Sequence, residues 1–213
     1  MNPSTSPSNT SPIRITWGHK VIDLEQHIDD ILPWLAHEDR SYFRQLFGQF
    51  DVEQVFMRWL SRPSSEYSLR RLRVLLEDQR IAGGYIAVAG SELQGCRRAD
   101  LLALARHHER LSYRDLRDRI DSFGELFAPV EDHDFFLSTL GLLDFASNRG
   151  LDYRLLDDCL HRADQGGFGR IRVDVAEQNR DLVQWYRTYG FRPIYRGKSD
   201  DGHLRYLSMS CDV

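Results

Sequence analysis

Two stretches of this chain crowd together side chains that can move protons. In VEDHDFF, Glu131, Asp132, His133 and Asp134 stand side by side just ahead of an apolar run. Carboxylates and an imidazole there could take a proton from a reacting group, although acidic residues before a strand are most often solvated loop. They do not read as a metal site, because no second cluster of ligands has partner spacing. In VDVAEQNRDLVQWYRTYGFRPIY, Asn179 supplies an amide, Tyr186 a phenol, and Gly190-Phe191 a sharp return to the core. A phenol is uncharged near pH 7 and can donate a proton. Taken alone, Tyr186 stands no higher than Tyr189 or Trp185, since a tyrosine on a short amphipathic helix is usually packing.

These groups need elements to position them. Residues 13–18, IRITWG, alternate as a short strand does. From Asp23 to Phe56 apolar residues recur at helical spacing, punctuated by Gly48 and Asp51, which predicts two or three helices. LRRLRVLLEDQRIAGGYIAVAG predicts a hairpin turning at EDQR. ADLLALARHHERLSYRDLRDRIDSFGELF reads as two helices joined near Ser112, whose side chain can cap the second. DFFLSTLGLL is a buried strand, GLDYRLLDDCLHRADQGG a helix ended by a glycine pair, and RIRVDVA a strand. RDLVQWYRTYG is a helix stopped by Gly190, and FRPIYRG and HLRYLSM are closing strands around KSDDG. The order is β, helices, β-β, two helices, β-α-β-α-β-β. It predicts an α/β (α+β) fold with a mostly antiparallel sheet and a parallel pair where β-α-β occurs.

VAEQN (Val175 to Asn179), Tyr186 in QWYRTYGF, and Gly190-Phe191 resemble the C-terminal half of the GCN5-related N-acetyltransferase (GNAT) superfamily. The resemblance covers roughly Phe135 to Met209, and the earlier strand and hairpin agree with it in order. It implies one domain over 13–213, a GNAT-like mixed sheet flanked by helices, acetyl-CoA as acyl donor, and direct attack of an amine on the thioester without a metal. It also implies that Asn179 hydrogen-bonds the peptide-like pantetheine arm and that Tyr186 protonates the departing thiolate. The family's base is commonly a carboxylate opening the strand before the pyrophosphate turn. That makes Asp134 the first candidate, with His133 and Glu131 behind it. A backbone N–H of the same strand, often at a bulge, would polarise the thioester carbonyl; Leu140, Gly141 and Leu142 are the expected residues, with Gly141 permitting close approach.

The family's pyrophosphate turn, Q/R-x-x-G-x-G/A at a helix N-terminus, falls on SNRGLDYRLL. Gly150, Leu151 and Arg154 fit the pattern, and Arg149 can reach a phosphate. Ser147 stands where Gln or Arg is usual, and Asp152 where Gly or Ala is usual. At about 5 Å and an effective dielectric near 20, Asp152 would repel each phosphate charge by on the order of 3 kcal/mol before screening. Three readings stay open: an outward-pointing helix-start acid, weak cofactor affinity, or a site turned to another use.

A second departure is a helical insertion between the third and fourth strands, residues 90–132, where the family commonly has a short loop. It reads either as a lid or wall of the acceptor pocket, or as a packing element that could support a homodimer. Its mixed charge, with a slight acidic excess, favours a cationic small molecule. The net charge of 28 − 32 = −4 argues against nucleic acid as a partner. No run of about eighteen apolar residues suits a membrane span. Cys96, Cys159 and Cys211 have no CxxC spacing, so neither a disulfide framework nor zinc is signalled, and a reducing, cytoplasmic setting is expected. The opening MNPSTSPSNTSP lacks signal-peptide regions and reads as a flexible tail over 1–12. The expected function is acetyl transfer to a small-molecule amine. A longer acyl group, a protein amine, and a degenerate binding or regulatory module are the alternatives.

Overall fold

The longest apolar run of the chain becomes the middle of its sheet. In the structure, a computed structural model describing residues 13–35, 40–48, 51–107, 112–121, 123 and 125–213, strand β3 (Arg80–Ala89) is buried along nearly its whole length. Such a run suits a central strand covered on both faces. β3 pairs antiparallel with β2 (Leu72–Glu77), as the hairpin signal predicts, and with β4 (Asp134–Leu142) on its other side. β1 (Ile13–Trp17), β5 (Arg170–Ala176), β6 (Arg192–Lys198) and β7 (Arg205–Asp212) complete a seven-stranded sheet in the order β1-β2-β3-β4-β5-β7-β6. Only β4 and β5 run parallel. The mostly antiparallel sheet with one parallel pair is the architecture expected. The tail over 1–12 lies outside the described residues.

Helices divide between the two faces. One face carries α1 (Leu24–Leu35), α2 (Arg40–Phe47), α3 (Val52–Ser61), α4 (Gly90–His107) and α5 (Tyr113–Asp121), packed around Ile31, Phe47, Phe56 and Leu104. The other carries α6 (Leu151–Gln165) and α7 (Arg180–Thr188), packed around Leu155, Leu156, Val173 and Met209. The helix starts follow local chemistry. Asp51 accepts from the Glu53 N–H to cap α3. At α5, Ser112 Oγ accepts from the Asp115 N–H while Asp115 takes the Ser112 N–H, a reciprocal box that satisfies two otherwise orphaned donors.

The insertion is built into the body of the domain. Leu104, Leu116, Phe123 and Leu126 are buried in the α1–α5 core. Its ends are pinned: a Cβ on Gly90 would sit 1.9 Å from the Glu131 carbonyl, and one on Gly197 of β6 would sit 2.1 Å from that of Leu126. The Tyr195 hydroxyl donates to the Glu125 carbonyl at 2.7 Å, and the Ala128 N–H donates to Ser208 Oγ at 3.0 Å. α4 and α5 are therefore packed into the core of this face.

Candidate active site

The sheet opens between its two parallel strands. β4 and β5 pair only over Asp134–Phe136 and Arg170–Arg172; beyond that, β4 continues on β3 while β5 continues on β7. A wedge is left between Leu137–Leu142 and Val173–Ala176, and backbone groups of β4 facing it have no ladder partner in β5. Within this stretch Ile86 pairs with Thr139 and Ala87 with Leu137, so Ser138 is an extra residue, a bulge in β4. The bulge lies two residues before the expected Leu140 to Leu142. Gly141 has a different reason: it pairs with Gly84, and a Cβ on either would come within 2.9 Å of Trp34. The glycine pair is the notch that seats α1.

Asp134 is placed at the closed end of the wedge. Four residues of strand separate it from the bulge, about 13 Å. It is 0% exposed, paired with Arg170, and 3.6 Å from Arg172 Nη1. Its Oδ2 also accepts the Glu131 N–H at 2.8 Å. A carboxylate so engaged stitches β4 to β5 and closes the preceding turn. Glu131 and His133 are exposed at the same end, so none of the three expected bases reaches the wedge.

The acid that does reach it is Asp174 of β5, which the sequence reading did not single out. Arg170, Arg172 and Asp174 alternate with Ile171, Val173 and Val175, so charge lines one face of a buried strand. That alternation was the available signal. Asp174 lines a cavity of about 410 Å³ on the α1–α5 face. Desolvation by the surrounding protein raises its pKa above the usual carboxylate range, against the Ser208 hydroxyl and the charges of Arg97 and Arg172. Ser208 Oγ donates to Asp174 Oδ1 at 2.6 Å, and the Ala128 N–H fixes that hydroxyl in turn.

The cavity draws its other polar groups from the insertion and the loop before β2. Glu66 is paired with Arg97 Nε at 3.0 Å. Asp100 of α4 is 4% exposed; its Oδ2 accepts the Glu66 N–H at 3.0 Å. Burial pushes its pKa up to about 7, opposed by hydrogen bonds from Ser65 and Glu66. Phe43, Trp59, Tyr67 and Phe136 supply apolar wall.

On the opposite face, Asn179 caps α7: its Oδ1 accepts the Leu182 N–H at 3.2 Å, leaving its amide N–H₂ to face outward from an exposed position. Tyr186, one to two turns later, is 1% exposed, with ring centroids 4.9 Å from Trp185 and 5.1 Å from Phe191. Gly190 adopts φ +86, the left-handed turn that brings Phe191 back to the core as the sequence predicts. α6 begins at Gly150 with φ +69 and no side-chain cap, so its first N–H groups are left for another acceptor. Leu151 is buried and Arg154 exposed. Arg149 is not held toward that helix start: it makes a two-pronged pair with Glu77 at the end of β2, at 2.7 and 2.5 Å. Asp152 lies partly buried in the first turn; burial first, then the charge of Asp157, and least of all that of Asp152 hold the Tyr189 phenol in its neutral form. Cys159 is fully buried, and burial pushes its thiol up to about 12, so it stays protonated. Among the described residues no group of three or more His, Cys, Asp or Glu is placed to hold a metal ion. No described helix is long and apolar enough to cross a membrane.

Neither a family model nor a curated protein matches the chain. Solved structures do match. An N-acetyltransferase from Staphylococcus aureus Mu50 is 12% identical with a TM-score of 0.65, covering 93% of this chain and 100% of that one. A GCN5-related N-acetyltransferase from Kribbella flavida is 16% identical with a TM-score of 0.52, over 94% and 98% of the two chains. A Bacillus subtilis acetyltransferase in complex with CoA is 12% identical with a TM-score of 0.52, over 95% and 99%. At these identities the likeness establishes the fold, and that fold is the one shared by GCN5-related N-acetyltransferases.

Proposed function

We propose that the chain transfers an acyl group, acetyl foremost, from a coenzyme A thioester to the amine of a small molecule. The observation that carries this reading is the wedge between β4 and β5, with Asp174 on one side of the sheet and Tyr186 on the other. The groups present fit the donor. The β4 bulge at Ser138 offers unladdered backbone for a carbonyl or an amide arm, Asn179 keeps an outward amide, and the uncapped start of α6 suits a phosphate. The CoA complex of the Bacillus subtilis neighbour, on the same fold, supports the same choice.

Coenzyme A, when bound, supplies the acyl group as a thioester. Asp174 takes a proton from the acceptor's ammonium, so that the free amine can form the new N–C bond as the C–S bond breaks. Desolvation raises its pKa above the usual carboxylate range, the direction that makes a carboxylate a stronger base. Tyr186 gives its phenol proton to the departing sulfur and is restored by the second proton that the nitrogen sheds as the amide forms. The net balance releases one proton per amide made.

A second reading, a binding or regulatory module, draws on two observations at the pyrophosphate turn: Arg149 is committed to Glu77, and Asp152 brings a carboxylate into the first turn. Calorimetric titration of acetyl-CoA separates the readings. Micromolar binding by wild type, with Tyr186→Phe binding equally but releasing free thiol at least tenfold more slowly, supports transfer. No binding by wild type, restored in Asp152→Gly, would leave the module.

A further inference from the structure

The carboxyl of Asp174 has two oxygens, and the fold treats them differently. Strand register sets the difference. Asp174 of β5 stands opposite Ser208 of β7, and Ser208 stands opposite Tyr195 of β6, so the three side chains form one row across the α1–α5 face. Ser208 is 0% exposed, and its hydroxyl is used both ways: it accepts the Ala128 N–H at 3.0 Å and donates to Asp174 Oδ1 at 2.6 Å. The Tyr195 hydroxyl donates to the Glu125 carbonyl, so the closing segment of the insertion is tied to the same row. Oδ2 is the other case. No described residue donates to it, and it keeps accessible surface on the cavity that Asp174 lines.

This asymmetry decides where a proton can sit. Ser208 carries a single hydroxyl hydrogen, and the Ala128 N–H already points at its oxygen, so that hydrogen is turned toward Oδ1. A second hydrogen on Oδ1 would crowd into the same contact and leave the serine hydrogen without an acceptor. A proton on Oδ2 leaves the contact intact. The other charges facing Asp174 make no hydrogen bond to it. Arg97 of α4 and Arg172 of its own strand favour the ionised form, and Glu66 of the loop before β2 opposes it. Further round the cavity stand Arg98 and Asp100 of α4, Tyr113, Arg117 and Asp121 of α5, and the phenols of Tyr42 and Tyr67.

We infer that Ser208 is the positioning residue of Asp174: it holds Oδ1 and so confines proton exchange to Oδ2, the oxygen open to the cavity. The inference rests on the acyltransferase reading for what the proton is used for, and on the geometry of the row for where it sits. The insertion takes part through Ala128, whose N–H fixes the serine oxygen. The bond favours the ionised carboxyl, so losing it raises the midpoint of titration. For Ser208→Ala the expected rise is about one pH unit, the scale of a net hydrogen bond to a charged group.

Carbon NMR of the Asp174 carboxyl, on the full chain without acetyl-CoA, reads that midpoint directly. Acetyl-CoA-dependent thiol release, with spermidine, phenethylamine and an alanyl peptide as acceptors, reads it through the acid limb of kcat/KM. Wild type and Ser208→Thr, which keeps the hydroxyl, should share one midpoint. Ser208→Ala should raise it and carry the kinetic limb by the same amount, which lowers kcat/KM about tenfold on the acid limb and leaves the plateau within about threefold. An unmoved carboxyl midpoint in folded Ser208→Ala, or a loss of turnover equal at every pH, overturns the inference. A carboxyl midpoint that moves while wild type releases no thiol with any of the acceptors keeps the role of Ser208 and removes the acyltransferase reading. If Ser208→Ala does not fold, wild type decides alone. Its Ser208 hydroxyl proton, buried and bonded to a carboxylate, should be visible by proton NMR and shift with the Asp174 midpoint; a hydroxyl proton indifferent to that titration overturns the inference.

Discussion

The two faces of the sheet are assembled in different ways. On the α6–α7 face, most of the residues proposed to bear on the donor lie between Ser147 and Phe191 and follow one local grammar of strand, cap, helix and left-handed glycine. On the α1–α5 face, the cavity is assembled from helices, a loop and two strands that meet only after folding, from Tyr42 to Asp174. Two acids of neighbouring strands, Asp134 and Asp174, make the contrast concrete. Asp134 is held by arginines at the closed end of β4 and β5; Asp174 is held by a hydroxyl where they have parted. Matching a carboxyl to a salt-bridge network commits it to structure, while leaving it desolvated with only neutral donors keeps it available to a proton.

Exchanging the roles of those two acids is the most direct way to break this contrast. Asp174→Asn is expected to lower kcat by about 10²- to 10⁴-fold, the usual worth of a positioned base, with little change in melting temperature. In wild type, kcat/KM should rise with pH as Asp174 loses its proton, and because its pKa is raised that limb lies above the usual carboxylate range. The limb should vanish in the variant; more than a tenth of wild-type activity in Asp174→Asn would return the base to an unassigned group.

Asp134→Ala should do the reverse. It leaves Arg172 buried without its carboxylate, and removing one partner of a buried pair destabilises by about 3–5 kcal/mol. Urea unfolding should show the loss, and turnover per folded molecule should stay within about threefold of wild type. A proportionate loss of turnover in fully folded protein would restore Asp134 as the base.

The smallest of the three effects sharpens the account of Gly141. Gly141→Ala puts a methyl 2.9 Å from Trp34 Cβ, and overpacking of this kind costs about 1–3 kcal/mol. Stability should fall while acetyl-CoA affinity holds within about twofold. An affinity loss of tenfold with normal stability would move the close-approach role back from the Ser138 bulge to Gly141.

Much of the fold was legible because its signals are local. The β-rich runs either side of EDQR, the Ser112 box, the glycine pair after α6 and the Gly190-Phe191 turn each act within a few residues. The place of Tyr186 on its helix followed from the same spacing, whereas the cap that Asn179 provides was not foreseen. The setting of Asp134 was not legible because burial and pairing are not local: nothing in EDHD says that Arg170 and Arg172 arrive from a parallel strand to claim it. The bulge was expected two or more residues late, since its position is set by how β4 registers against β3.

By itself, the sequence determined the order of helices and strands, the hairpin turning at EDQR, and the Asn179, Tyr186 and Gly190-Phe191 frame, although α4 begins at Gly90, ahead of the helix read from Ala99. Short-range hydrogen bonding and side-chain periodicity settle those matters. The tertiary structure alone decided that β4 and β5 pair over three residues and then diverge, that the insertion packs into the α1–α5 core, and that Asp100 and Asp174 share a cavity. The environment of a carboxyl, and hence its affinity for a proton, depends on neighbours brought from far along the chain, which residue spacing does not encode.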